Sequence, residues 1–505
     1  MGELVCEIWE APGWVLQVLF LLLVLGVPIV AIVSWIYDIT REGVVTTDDA
    51  SFIATAWQSG LPGRARLIAG ATVILALFLV LTSYLWPDDR PSEDVRRLLA
   101  LTYQHSADPE AFYYGLYGFN APAGQNFWQH GAFVTRNYNI TGDWVSDVES
   151  PLEFTITPNE LCSLSQHDCA GAIGSQLSGF PQLLDANARL LDRYEALKSS
   201  SDFGVVIHAG GFWQSPDYSN LIAANRLRLR KALMLLKEGS PSQGWETLES
   251  ELLFARQLLA ESSSILTKLV AINLTAECLR MSVLMAYYGK TLGLNLPEPP
   301  PRLSLAERSM SETAQLEAGT WLDRLQLPRT EFARVGIDFH GGQPDRMDYL
   351  AARMLPFKSN RTSNLFADQY MEISRASILP PEEFIEWAMN HEAPEPTLFE
   401  WYLNTKGAML LKNSPVYVTY MWPIYDLDVL IILTRASYRL LAQGADAGSI
   451  QSHLMALSDD YRDPHTGKRP TWEEETLRFE QVSDRMTHPA VHPELHLPLP
   501  DDTTN

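Results

Sequence analysis

The sequence predicts a mainly α-helical protein, with two N-terminal transmembrane helices followed by a large extracytoplasmic domain of repeat-like helical hairpins and minor β structure. Two uncharged apolar runs, residues 14–37 and 67–86, stand near the start of the chain. Beyond them, apolar residues recur at the spacing of amphipathic helices, and long runs with the strict alternation of a strand are absent. These patterns together predict a helical body on a membrane anchor.

Both apolar runs are long enough to cross a bilayer. A hydrocarbon core of about 30 Å takes about 20 helical residues at a rise of about 1.5 Å each. Trp14 and Tyr37 bound the first run, and Trp86 ends the second, as aromatic residues do at membrane interfaces. We therefore expect both runs to lie in the lipid bilayer.

Basic residues predict the orientation of the anchor. No Lys or Arg precedes the first run, whereas the connecting segment 38–66 carries arginines that include Arg64 and Arg66. Because positive residues mark the cytoplasmic side, this segment is predicted to be a cytoplasmic loop. Residues 1–13 and everything after the second run are then extracytoplasmic. In a bacterium this describes a two-pass inner-membrane protein with a periplasmic N-terminus and a large periplasmic C-terminal domain.

The first apolar run also carries a resemblance. Trp14 leads to Leu-Gly-Val-Pro at 25–28, then to Trp35, and the run leaves through Asp-Ile-Thr-Arg-Glu-Gly at 38–43. This order resembles the membrane segment of bacterial adenylate-cyclase-like and tetratricopeptide-containing membrane proteins. The resemblance implies that the Thr-x-Glu-Gly end is cytoplasmic and that a second helix leads outward. It covers about the first ninety residues, so it implies a shared anchor and not a shared activity.

The charge of the chain excludes one class of partner. The formal net charge is −23 and the isoelectric point is about 4.9. Nucleic acid and anionic lipid surfaces would be repelled over a Debye length of about 8 Å. We therefore expect no nucleic-acid partner.

The cysteines indicate one disulfide. Cys162 and Cys169 bracket a short polar loop in the region placed in an oxidising compartment, which predicts that they are bonded. A metal site with His167 as a third ligand is the alternative, but nothing nearby completes a tetrahedral set. Cys278 lies in an apolar helical pattern and is predicted to be a small buried side chain.

Aromatic residues are densest shortly after the anchor. The candidates for a ligand groove that stacks sugars or aromatic groups are Tyr113, Tyr114, Tyr117, Phe119 and Trp128. The alternative is that these rings pack an irregular segment onto the helical body.

The clearest helical pattern runs from residue 221 to residue 288. Leu229, Ala232, Leu233 and Leu236 form one buried stripe, and similar stripes follow in the next two segments. Gly-Ser-Pro at 239–241 predicts the end of the first helix and the start of the second, and three serines at 262–264 precede the third. A 34-residue register is absent, so the unit is repeat-like only.

Arginine and lysine recur on roughly one face of the first of these helices. Arg226, Arg230 and Lys237 are spaced to share that face. A solvated surface explains them more simply than an anion site does.

A proline-rich stretch at 297–301 predicts a stiff linker or crossing between two lobes. The lobes are predicted to comprise residues 87–296 and 302–480, followed by a flexible tail at 481–505. Further helices are predicted at 306–325, 346–355, 365–377, 381–390 and 427–443.

The C-terminal part carries a second resemblance. Its Asp-Pro-His-Thr-Gly-Lys stretch, residues 463–468, resembles a turn unit common in uncharacterised bacterial exported and membrane-anchored proteins, in which a small hairpin follows the turn. Physically the stretch predicts a structural turn. Asp463 can accept backbone N–H groups, Pro464 fixes its own φ, and Gly467 can take a positive φ.

Motifs of known catalytic chemistry are absent from the sequence. It has no Gly-x-Ser-x-Gly, His-Glu-x-x-His, Walker or Gly-x-Gly-x-x-Gly pattern. Glu249 and Glu251 fall on different faces of one helix, which does not suit paired acid–base work. Histidines recur every four residues in the tail, but Pro489 and Pro493 disfavour the helix that would gather them around a metal. We expect no catalytic residue, metal or cofactor.

Two functions follow from these features. The preferred one is a non-catalytic, membrane-anchored periplasmic scaffold that binds a protein or cell-envelope partner. The alternative is a cell-envelope enzyme with the aromatic cluster as its groove and Asp338 or His340 as its acid–base residue.

The predicted orientation is testable with reporter fusions. Alkaline phosphatase fused after Trp86 should be active, because that junction is predicted to be periplasmic, and a fusion near Asp49 should be inactive. The reverse pattern would overturn the orientation.

Overall fold

A computed structural model of the chain describes most residues after 60 and two short segments before it. The described residues are 37–40, 43–46, 61–101, 108–141, 161–165, 169, 173, 179–200, 202–203, 216–326, 355–391, 395–412, 418–446, 448–473, 476–479 and 494–496. Side chains are described for these residues except 37–46, 61–72, 136–141, 324, 418–419 and 496.

Helices make up most of the described structure, so the prediction of a mainly α-helical protein with minor β structure is confirmed. The helices are α1 Leu61–Leu85, α2 Glu93–Leu101, α3 Phe112–Tyr117, α4 Phe127–Thr141, α5 Phe180–Ala186, α6 Ala188–Lys198, α7 Ser219–Lys237, α8 Pro241–Glu261, α9 Ile265–Thr291, α10 Leu305–Arg308, α11 Ser311–Leu325, α12 Ser359–Ala376, α13 Pro381–Asn390, α14 Leu398–Leu403, α15 Thr405–Lys412, α16 Val418–Gln443 and α17 Ile450–Ala456. The strands are β1 Tyr37–Thr40, β2 Gly43–Thr46, β3 Thr471–Glu473, β4 Thr476–Arg478 and β5 Glu494–His496.

The chain forms two compact units. Unit 1 comprises residues 1–89, 350–358 and 396–409, and unit 2 comprises the remainder. Segments from both predicted lobes, 87–296 and 302–480, contribute to the helix packing of unit 2, in which α9 packs against α16.

Unit 1 contains the predicted membrane anchor. Of the first predicted transmembrane helix, 14–37, only Tyr37 is described, and it is the first residue of β1 rather than the end of a helix. β1 and β2 form an antiparallel pair with Tyr37 opposite Thr46. The second predicted transmembrane segment lies within α1, which starts earlier than predicted, at Leu61. Pro62 permits this start because proline is tolerated in the first turn of a helix.

Three consecutive helices form the centre of unit 2, as the spacing predicted. The stripe residues of α7 are each at most 1% exposed, and α7, α8 and α9 pack on one another. The helix α7 ends in a left-handed glycine, Gly239 with φ of 89°. The N–H of Ser240 donates to the carbonyl of Leu235 at 2.9 Å, which is the closing bond of a Schellman motif. Pro241 then occupies the first turn of α8.

The longest helix of unit 2, α9, is a core helix. Among the helices whose side chains are described over their full length, it is the one long and apolar enough to cross a membrane, but 83% of its apolar window is buried; the described apolar part of α1, Val73–Leu85, is shorter. It also carries buried charged residues, Lys268, Glu277 and Arg280. Burial lowers the pKa of Lys268 to about 8, although the carboxylates of Glu312 and Glu307 oppose the shift.

The later helices depart from prediction in three places, one of which is α12, predicted over 365–377 but beginning at Ser359. The predicted helix 306–325 is divided into α10 and α11, and residues 309–310 between them are not helical. The predicted helix 427–443 begins earlier, at Val418, and contains Pro423. Buried apolar side chains on both sides of this proline, Trp422 and Ile424, hold the early turns of α16 in the core despite the hydrogen bond that proline removes. The predicted helix 346–355 lies almost wholly outside the described residues.

The small C-terminal sheet follows the predicted turn. β3 and β4 form the predicted hairpin, with Trp472 opposite Leu477, and β5 pairs with β4 on its other side. Leu477 and Leu495 are neighbours in the sheet and each is at most 1% exposed. The sheet is therefore anchored by one buried apolar pair.

The turn between α7 and α8 is expected to be sensitive to a side chain. Gly239→Ala should destabilise the protein by about 1 kcal/mol, because the left-handed conformation at this position disfavours a Cβ. Gly179→Ala is the matched control, since Gly179 has φ of −99° and open space around the added Cβ. Urea unfolding of both purified variants measures the difference, and equal stability of the two would contradict the role assigned to Gly239.

Candidate functional site

The rings predicted to line a groove are largely turned into the body of unit 2. Tyr113 is 0% exposed, Phe119 2% and Trp128 7%, while Tyr114 and Tyr117 are half-buried. Three of the five rings are therefore buried, as expected if the rings pack this segment onto the helical body and do not line a groove.

Tyr113 is held by hydrogen bonds to the core. Its hydroxyl bonds to the hydroxyl of Thr267 on α9, which also lies 2.6 Å from the hydroxyl of Tyr218. Burial raises the pKa of Tyr113 to about 12. A neutral, hydrogen-bonded phenol of this kind fixes α3 on α9 and is not poised to transfer a proton near neutral pH.

Glycines allow the other aromatic residues to pack closely. Gly118 and Gly131 let α3 and α4 approach until a Cβ on either residue would overlap a backbone carbonyl of the other helix. Trp128 lies against Gly115 in the same region. Close packing of α3 and α4 thus explains the glycines that accompany the aromatic cluster. The spacing of these glycines in the sequence does not indicate this packing.

The structure contains the Cys162–Cys169 disulfide. The loop that it closes is bound to two helices of the core. Glu277 of α9 accepts hydrogen bonds from the hydroxyl of Ser163 and, at 3.0 Å, from the N–H of Leu164. The thiol of Cys278 is buried, and burial raises its pKa, so this cysteine is an inert part of the core as predicted.

Two of the three basic residues on α7 face inward, which corrects the prediction of a solvated surface. Arg226 pairs with Glu277 at 3.0 Å and donates to the carbonyl of Leu161 at 2.9 Å. Arg230 is 6% exposed and donates to the carbonyl of Cys162 at 3.1 Å. Periodicity places these residues on one face but does not show that a carboxylate and a loop cover that face. Lys237, at the end of α7, is exposed, as predicted.

A second buried carboxylate joins α6, α7 and α8. Glu251 is 0% exposed. It accepts hydrogen bonds from the hydroxyl of Tyr194 at 2.6 Å, from Nζ of Lys198 at 2.7 Å and from Nε of Arg228 at 3.2 Å. Burial, followed by the charge of Glu251, raises the pKa of Tyr194 well above its usual value. Glu249 is exposed, so the predicted difference in face between the two glutamates is confirmed.

A shallow depression lies beside this cluster on the outer side of α8. Its lining includes the side chains of Lys198, Glu246, Glu249, Leu253 and Phe254. Leu253 is 61% exposed, whereas Phe254 is buried. The depression therefore offers an apolar contact flanked by carboxylates, a surface suited to an apolar side chain with a basic neighbour.

The C-terminal turn has the geometry of an Asx turn. Asp463 accepts the N–H of His465 at 2.9 Å and the hydroxyl of Thr466 at 2.6 Å. Pro464 lies in the turn, and Gly467 has φ of 67°. Burial lowers the pKa of His465. All of these contacts serve the turn itself.

The described residues contain no metal-binding cluster and do not include the acid–base candidates. Within the described residues, no group of three or more His, Cys, Asp or Glu side chains could hold a metal ion. Asp338, His340 and His167 lie outside the described residues.

Unit 1 presents an apolar helix whose side chains are exposed on all sides. From Ile74 to Trp86 its large apolar residues are 40–72% exposed. Since successive helical residues are rotated by about 100°, consecutive exposed residues from Leu77 to Leu81 cover the full circumference. Nζ of Lys358 donates to the carbonyls of Tyr84 and Trp86 at the end of this helix. The arrangement is a candidate membrane-contact surface with a fixed end.

The cluster around Glu251 generates a stability prediction. Glu251→Ala should destabilise the protein by about 3 kcal/mol, because it removes the buried carboxylate that Lys198 and Arg228 share and leaves the half-exposed Glu195 as the remaining carboxylate within ion-pair distance of both in the described structure. Glu249→Ala on the same helix is the control and should change the free energy of unfolding by less than about 0.5 kcal/mol. Urea unfolding in mild detergent compares them, and a Glu251→Ala variant as stable as the control would refute the assignment.

No family model, no curated protein and no solved structure matches the chain. The resemblances carried by residues 14–43 and 463–468 therefore stay predictions. The proposal of function therefore rests on the burial, the contacts and the charge of the described residues.

Proposed function

We propose that the protein is a membrane-anchored, non-catalytic scaffold that binds a protein or cell-envelope partner on the periplasmic side of a bacterial inner membrane. The observation that carries this proposal is the exposure of the apolar residues of α1 on every side of the helix. Apolar surface in water costs about 25 cal/mol per Å². A lipid bilayer removes that cost for the whole circumference, whereas a single packed neighbour removes it for one face.

Charge supports the proposed orientation. Arg64 and Arg66 lie in the first turns of α1, and Trp86 follows its other end. Basic residues favour the cytoplasmic side, so the chain after Trp86 is proposed to be periplasmic. The Cys162–Cys169 disulfide is consistent with that oxidising compartment. Residues 14–36, which precede β1, are proposed to supply the other transmembrane helix of the two-pass anchor.

The depression on α8 is the proposed partner-binding surface. It combines the exposed Leu253 with the carboxylates of Glu246 and Glu249. Such a surface suits a protein partner with an apolar anchor beside a basic residue, since both the apolar contact and the charge are complementary.

The alternative function, a cell-envelope enzyme with an aromatic groove, has less support. Tyr113, Phe119 and Trp128 are buried, so their faces are not open to a substrate. The proposed acid–base residues Asp338 and His340 lie outside the described residues.

Affinity purification from solubilised membranes tests the scaffold. The wild-type chain should remain in the membrane pellet after alkaline extraction and should recover a stoichiometric partner. Leu253→Arg should lose that partner, because it removes the apolar contact proposed for the partner's apolar anchor and places a cation beside the partner's basic group. Met455→Arg is the control, as Met455 is similarly exposed, at 63%. Release of the chain by alkaline extraction, or repeated recovery of the chain alone, would overturn the proposal.

A further inference from the structure

A short helix in unit 1, α14, exposes apolar residues beside the end of α1. Leu398 is 89% exposed and Phe399 is 47% exposed. Leu398 is the most exposed of the large apolar side chains in the part of the chain that the structure describes. Thr397 caps the helix by accepting the N–H of Glu400 at 3.2 Å. The exposed pair therefore stands at the start of an ordered helix.

Contacts with α1 hold α14 in place. The hydroxyl of Tyr402 donates to the carbonyl of Leu79 at 2.6 Å and also bonds to the hydroxyl of Thr82. The ring of Phe399 meets the ring of Trp86 edge-on, with centroids 5.9 Å apart. These contacts bind α14 to the last two turns of α1.

The position of Leu79 in α1 shows how far α14 extends along that helix. It precedes Trp86 by seven residues, which corresponds to about 10 Å at a helical rise of about 1.5 Å per residue. When Trp86 lies at the membrane interface, the carbonyl of Leu79 lies on the hydrocarbon side of it. The hydroxyl of Tyr402, which bonds to that carbonyl, must then enter the same depth of the bilayer.

Hydrogen bonds also connect the C-terminal end of α14 to the end of α1. Lys358 donates from Nζ to the carbonyls at the end of α1, and its own N–H donates to the side-chain oxygen of Asn404 at 2.8 Å. Asn404 directly follows α14. The end of α1, the segment at Lys358 and the end of α14 are thus joined by hydrogen bonds.

We propose that α14 lies in the headgroup–acyl boundary of the leaflet that contains Trp86, with Leu398 and Phe399 inserted among the lipids. This inference rests on the proposed membrane anchor and adds a second, non-spanning contact with the bilayer. Amphipathic helices at such boundaries bury their apolar face by about 5–10 Å, which matches the depth set by Leu79. Lipid is favoured over a protein occupant because the apolar surface of α14 continues that of α1.

Fluorescence quenching in vesicles tests the inference. The full chain with Cys6→Ser is reconstituted in phosphatidylethanolamine–phosphatidylglycerol vesicles and labelled with the dye NBD at Leu398→Cys or, as a reference within α1, at Leu77→Cys. Cys278 is buried and does not react. The label at position 398 should be quenched by lipids that carry a nitroxide near the headgroup end of the acyl chain. Its quenching by aqueous iodide should be severalfold weaker than in the urea-unfolded chain.

Each contrary result has a distinct meaning. If the label at 77 is quenched by lipid nitroxides while the label at 398 responds only to iodide, the inference fails and the anchor stands. If the label at 398 resists both quenchers, a protein surface covers α14 and the inference also fails. If neither label responds to lipid nitroxides and both respond to iodide, the membrane anchor itself is refuted.

Discussion

Buried carboxylates join the helices of unit 2 to one another and to the segments that connect them. Glu251, Glu277, Glu307 and Asp428 are each at most 6% exposed, and each accepts hydrogen bonds from a cation on another segment. Their partners are Lys198 and Arg228, Arg226, Arg256, and Arg302 respectively. Taking one such charge out of water costs several kcal/mol unless it is paired. The position of each carboxylate therefore dictates where its partner segment must lie.

The proline-rich crossing illustrates this constraint. Asp428 of α16 binds Arg302, and Arg256 of α8 donates to the carbonyls of Pro301 and Arg302 while pairing with Glu307. The hydrogen bonds of Glu307 hold its pKa below the usual value despite partial burial. Proline alone makes the segment stiff. The Arg302–Asp428 and Arg256–Glu307 ion pairs fix the path of this segment along the helices.

Two apolar helices of this chain show why hydropathy does not by itself identify a membrane span. The helix α9 has the length and composition of a span, yet inside the protein its Glu277 pairs with Arg226 and its Lys268 donates to the carbonyl of Ser309. The helix α1 instead exposes the large apolar side chains of its described part, from Ile74 to Leu85. Sequence predicted the helical hairpins of α7–α9 well because glycine, proline and stripe spacing are local signals. It failed for Arg226 and Arg230, whose environment is set by Glu277 and by a loop some sixty residues earlier, contacts that periodicity does not encode.

The disulfide loop has a consequence for the order of assembly. Only seven positions separate Cys162 from Cys169, so the ring can close through local encounters before any helix has docked. Arg226 and Glu277, which receive the loop, are far apart in sequence and meet only when α7 packs on α9. The disulfide can therefore close the loop first, and the packing of α7 on α9 then supplies the Arg226 and Glu277 side chains that bind the closed loop.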